Sequence, residues 1–153
     1  MKSSRVDHLD NLKALLKDLD LAKDTLQFSF KACQKIGVKD NYTPQELVDF
    51  EAFAGRFSRT SDLLLQKVFR AIDSVELVGG GTLIDALHRA QKRNILDTLE
   101  QMYTIRELRN MIVHEYLPKG LVEIFDDLLI QTPVVLNLIS KTSDYANELL
   151  LKA

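Results

Sequence analysis

Apolar side chains recur three and four positions apart along almost the whole chain, and this periodicity leaves few folds open. Leu9, Leu12, Leu16, Leu19, Leu26, Phe30 and Cys33 form one stripe, with Ala22 beside it where Lys23 interrupts. Such spacing places side chains on one face of a helix, so the segment from about Val6 to Ile36 reads as one long amphipathic helix. Gly37 is suited to end it, because glycine readily takes the left-handed conformation of a helix C-terminus. The next helix starts at Thr43-Pro44-Gln45-Glu46: a capping hydroxyl, a proline at the first helical position and a glutamate three residues after the cap. Leu47, Phe50, Ala54, Phe57, Leu64, Val68, Ala71 and Val75 continue the stripe, and Phe53 widens it. Aromatic residues at this spacing read as core rather than as a stacking platform for bases.

Gly79-Gly80-Gly81 reads as a turn, with Thr82 capping a short third helix from Leu83 to about Lys92. Arg93 and Asn94 predict a brief break, followed by a fourth helix from about Ile95 to Tyr116. Pro118 and Gly120 then separate it from a last helix, about Leu121 to Leu151. Pro133 removes one backbone donor from that helix and is expected to kink it. No segment alternates as a strand would. The expected fold is all-α: one domain spanning residues 1–153, an up-and-down bundle of four long helices plus one short helix. A chain of this length buries a real core without covalent staples.

Several chemistries are excluded or disfavoured. The three glycines are no phosphate loop, since no lysine follows and no strand precedes. A lone cysteine, Cys33, precludes an intrachain disulfide and a cysteine-based zinc site. His8, His88 and His114 are far apart and form no i, i+4 pair, so neither a metal nor another cofactor is expected. Twenty Lys and Arg against 22 Asp and Glu leave a net charge of -2, which excludes a generically basic nucleic-acid binder but not a local basic site. The N-terminal stretch MKSSRVDHLDNLK has no signal-like apolar run, and the longest apolar candidate elsewhere, Val134 to Ile139, is interrupted by Asn137. A cytosolic protein without a membrane partner is expected.

The informative stretch is Ile105 to Leu117, reading IRELRNMIVHEYL. At about 100° per residue, Ile105, Leu108, Ile112 and Tyr116 share a face directed at the core, while Val113 and Met111 flank it on either side. A helix this apolar around its circumference is usually buried on two sides, and a second copy of the chain is the expected second cover. His114 points nearly opposite to the core stripe, with Asn110 one turn before it. Arg109 lies closer to Tyr116, so one straight helix does not bring Arg109 and His114 fully together.

Arg109-Asn110-Met111-Ile112-Val113-His114-Glu115-Tyr116 resembles the signature of HEPN-domain ribonucleases: an arginine, a polar residue, three further positions and a histidine. The tyrosine two places after the histidine is similar to the HepT-like toxin branch, as is the flanking Arg106-Glu107-Leu108. In a chain of this composition, an Arg-to-His spacing of five arises by chance about 0.16 times, and with the tyrosine on the order of 0.004 times. The resemblance implies a homodimer with two copies of the motif meeting in an interface cleft. It also implies a minimal nucleotidyltransferase antitoxin as partner, with Tyr116 as the acceptor of AMP. A bulky anionic adduct there would repel RNA and pair with the arginine that catalysis needs.

Cleaving RNA without a metal requires deprotonating a 2′-hydroxyl, stabilising charge on the phosphate and protonating the departing oxygen. A histidine titrates in the range suited to both proton transfers. An arginine stays cationic and offers a planar fork of donors to phosphate oxygens. The expected roles are acid/base work for His114, phosphate stabilisation for Arg109, orientation of the histidine or a ribose contact for Asn110, and a further phosphate contact for Arg106. The plainer readings are a C-terminal histidine favoured by the helix dipole and an Arg109 paired with Glu107 or Glu115 on the surface. His88, Arg89, Lys92 and Arg93, together with Arg56 and Arg59, read mainly as helix-end or solvated charge. The leading expectation is a metal-independent endoribonuclease toxin. The alternative is a non-catalytic helical subunit that binds substrate for, or scaffolds, a nucleotidyltransferase.

Overall fold

The structure is a computed structural model that describes residues 4–115 and 118–153. The described residues are all helical or connecting, with no strand among them. Helix α1 (Arg5–Ile36) is followed by α2 (Pro44–Asp62), a π-helical turn (Leu63–Val68) and α3 (Phe69–Val75), which run on as one continuous rod. Helices α4 (Leu83–Lys92), α5 (Leu99–His114), α6 (Pro118–Val122) and α7 (Phe125–Leu151) complete the chain.

Three starts are fixed by reciprocal capping. Ser4, Thr43 and Thr82 each accept from the backbone N–H three residues on, and Asp7, Glu46 and Asp85 at that third position accept from the cap's own N–H. The hydrogen bond from Lys39 and then the backbone bond at Thr43 hold the Glu46 carboxyl below its ordinary range. The backbone and side-chain bonds of Thr82 do the same for Asp85. Gly37, at φ 72°, turns the chain out of α1, and its N–H donates to the Cys33 carbonyl.

Long helix α1 lays Leu12, Leu19, Leu26 and Cys33 against the rod formed by α2 and α3, and also packs on α7. Phe50, Phe53 and Phe57 on α2 are fully buried. Phe50 stacks on Phe125 of α7 with ring centroids 3.9 Å apart and planes 14° from parallel, while Tyr42 meets both rings edge-on. Arg56 reaches from α2 to α1, donating to Ser29 Oγ at 2.7 Å and to the Thr25 carbonyl at 3.3 Å. It is thus an interhelical tie rather than the solvated charge expected from sequence.

Three boundaries differ from expectation. The fourth long segment begins at Leu99 rather than Ile95, because Asn94 adopts φ 61° and Thr98 supplies the cap. Ile95 and Leu96 are buried as a non-helical connector. Pro118 and Gly120 lie inside α6 rather than outside any helix, with proline at a first-turn position where its missing donor costs nothing. The last long helix, α7, begins at Phe125 rather than Leu121, and it contains Pro133 and ends at Leu151 as expected. Buried Thr132 and Thr142 turn their hydroxyls back onto the carbonyls of Leu128 and Leu138.

A buried ionic cluster joins α3, α4 and α7. Asp73 accepts from Arg89 at 2.9 Å and from Arg93 at 2.8 Å, while Glu76 accepts from Arg93 at 2.7 Å and from the Tyr145 hydroxyl at 2.7 Å. The Arg93 guanidinium also lies over the Tyr145 ring, 5.8 Å from its centroid. Burial alone would lower the Arg93 pKa, but Asp73 and Glu76 outweigh it and raise the value. Arg93 is therefore an ion-pair partner inside the fold, and Arg89 pairs with the same Asp73 from the cluster's more exposed edge; neither is a free helix-end cation.

Two outcomes follow for stability and reactivity. Removing a buried carboxylate leaves its cations uncompensated, so Asp73→Ala should lower the unfolding free energy in urea by about 3–5 kcal/mol. Burial, with Asp49 nearby, pushes the Cys33 thiol up to about 12. Iodoacetamide at pH 8 should consequently leave Cys33 unmodified in the native protein and alkylate it after unfolding.

Candidate functional site

Helix α5 carries the motif. Thr98 caps it by accepting from the Gln101 N–H, and Met102, Ile105 and Leu108 form its buried face. Its outer side is mixed: Tyr103, Met111 and Val113 are 41%, 46% and 43% exposed, among exposed Glu100, Thr104, Arg106, Glu107 and His114. Ile112 is half-buried against the core.

Arg109 is held on one edge by a carboxylate. Its Nε donates to Asp62 Oδ1 and its Nη2 to Asp62 Oδ2, both at 2.8 Å, and its Nη1 donates to Asn110 Oδ1 at 3.3 Å. The ion-pair partner is Asp62 across the helix interface, not the neighbours Glu107 or Glu115 that the sequence suggested. That hydrogen-bonded carboxylate raises the Arg109 pKa despite a smaller opposing effect of desolvation. A guanidinium has five N–H donors, and these three bonds leave two of them for another acceptor. The side-on pairing with Asp62 therefore fixes the plane of the fork and keeps part of it available.

Asp62 stands where α2 gives way to the π turn, in which the Phe69 N–H reaches back five residues to the Leu64 carbonyl. Single π turns of this kind are frequent at functional sites. Between this turn and α5 lies a cavity of about 270 Å³. Leu65, Met102 and Ile105 give it an apolar floor, and Asp62, Gln66, Arg106, Arg109 and Asn110 supply polar walls. Ser61 also lines it, with its Oγ buried and unpartnered among the described residues.

Three of the sequence-derived site residues thus converge: Arg106, Arg109 and Asn110 share one cavity. His114 is exposed at the last residue of α5 and is not among the residues lining that cavity. Five residues along a helix correspond to roughly 140° of rotation relative to Arg109, so one chain does not bring the pair to a common wall. Tyr116 lies outside the described residues. Asp62, Ser61 and Gln66 were not singled out by sequence. Asp62 pairs 47 positions away, and the only available signal was an acidic residue on the second helix.

His88, Arg89 and Lys92 line a separate, more open depression with Gly79, Gly80, Gly81 and Asp85. No group of three His, Cys, Asp or Glu side chains among the described residues is arranged to hold a metal ion. No described helix is long and apolar enough to cross a membrane. Comparison with protein-family models, curated proteins and solved structures gives no match.

Asp62 and Arg109 are both partly exposed, with side-chain accessibilities of 41% and 29%, so their pairing should add little to stability. Asp62→Ala should shift the unfolding free energy by no more than about 1 kcal/mol. The Arg109 Nε–H resonance should be sharp in the parent protein, and the same substitution should broaden it by freeing the guanidinium to rotate.

Proposed function

We propose that the chain is a HEPN-type, metal-independent endoribonuclease toxin that acts as a homodimer and is neutralised by a minimal nucleotidyltransferase partner. The observation that carries this reading is the placement of Arg109. The arginine of the RNMIVH segment is oriented by Asp62 at the wall of a cavity, beside Arg106 and Asn110, with two N–H donors uncommitted. A fork prepared in this way suits a phosphodiester whose charge grows in the transition state.

His114 would complete the site from the second copy. It is exposed at the end of α5, and the same helix carries exposed Tyr103, Met111 and Val113, which a symmetric partner would cover. A two-fold contact across α5 would bring the imidazole of one chain toward the guanidinium of the other. In that arrangement His114 exchanges protons with the 2′-hydroxyl and the leaving oxygen, and Arg109 holds the phosphate. By the family resemblance, AMP transfer to Tyr116 would block the cleft with an anion. An all-α bundle of four long helices and one short helix is the HEPN-like arrangement this reading entails.

One observation favours a second reading, a non-catalytic binding or scaffold subunit of a nucleotidyltransferase complex. Arg109 already has a carboxylate partner, as a structural arginine would. Activity separates the two. The chain expressed alone should arrest growth and cleave RNA in EDTA, and His114→Ala or Arg109→Ala should slow cleavage by about 10²-fold or more. Equal behaviour of parent and variants would reject the nuclease, and loss of cleavage in EDTA would reject a metal-free mechanism.

A further inference from the structure

We infer that the cavity between the π turn and α5 is a nucleobase pocket, which takes one base of a ribonucleotide while Arg109 and Arg106 take its phosphate. As a substrate-reading device it rests on the nuclease reading; as a binding site it rests on the cavity alone.

The walls divide into two chemistries. Leu65, Met102 and Ile105 are 5%, 1% and 1% exposed, yet together they floor an opening of about 270 Å³. The narrow strip of apolar surface that these side chains leave open is a place for the face of a flat heteroaromatic ring, which a bare phosphate would not use. Around the ring's edge stand groups able to read hydrogen-bond patterns. Gln66 is exposed and offers an amide donor and acceptor. Asn110 has its carbonyl oxygen engaged by Arg109, so its amide nitrogen is the group left to donate outward.

Charge selects the class of occupant further. Two guanidiniums and one carboxylate line the cavity, an excess of one positive charge. A wholly apolar ligand would desolvate those groups without pairing them, and an uncharged nucleoside would leave the free fork of Arg109 unmet. A base carrying a phosphate satisfies floor, amides and cations together. Asp62, Leu65 and Gln66 stand three and four positions apart and so share the face of the helix that meets the opening.

The test is a titration of the full chain in metal-free, low-salt buffer with each of the four ribonucleoside 5′-monophosphates, and with ribose 5-phosphate as a probe of equal charge lacking a base. At least one mononucleotide should bind about tenfold tighter than ribose 5-phosphate and shift the Met102 methyl and Gln66 amide resonances. Gln66→Ala, a change at an exposed position, should narrow the differences among the four bases. Arg106→Ala should weaken the mononucleotides and ribose 5-phosphate alike. Equal affinity for ribose 5-phosphate and every mononucleotide, or shifts confined to the Gly79–Gly81 loop, would overturn the pocket. Because binding is read without cleavage, a chain that binds mononucleotides but never cuts RNA would retain the pocket and lose the nuclease.

Discussion

The stacked pair of Phe50 and Phe125, with Tyr42 set edge-on against both, is the contact on which the placement of everything else depends. It joins the start of α2, the start of α7 and the connection out of α1 in one buried aromatic cluster. Aromatic rings contribute more buried area per residue than aliphatic ones and accept fewer relative orientations. Once α2 is pinned there, its continuation as a rigid rod sets where the π turn falls. The turn in turn decides which side chains α5 meets.

Two arginine–carboxylate systems in the molecule illustrate different uses of the same chemistry. Around Asp73, Arg93 is drawn inside and Arg89 is held at the edge, with Glu76 and Tyr145 closing the network. Burial makes that cluster dependent on its complete set of partners, so it serves to join α3, α4 and α7. Around Asp62, the single Arg109 stays partly wet and has donors to spare. A pair in that setting contributes little to folding and much to the orientation of a fork.

Much of this architecture could be read before any coordinates. The capping boxes at Thr43 and Thr82 and the stripes through Leu12, Leu19 and Phe50 are local signals, and local signals survive folding. The start of α5 lies beyond Ile95 and Leu96, which look like helical core in sequence but are buried from a non-helical connector. Arg89 and Arg93 looked like surface cations because nothing near them in sequence announces Asp73 as a shared partner. For the site, the motif named Arg106, Arg109 and Asn110, which do share a cavity. It could not name Asp62 or Gln66, since their relevance depends on the winding of a different helix.

The π turn also carries a consequence for how this chain can vary. It accommodates an extra residue between Leu63 and Val68 without breaking the rod. Losing one codon there would let the backbone rewind as plain α-helix with the helical phase on either side nearly unchanged, because the wide turn has already absorbed the extra residue. Phe50 and Phe53 before the turn could still face inward together with Val68 and Ile72 after it. The segment is thus a length buffer: shortening it by one residue would spare the core on either side and fall on the turn's own side chains, Leu65 and Gln66 among them, which wall the cavity.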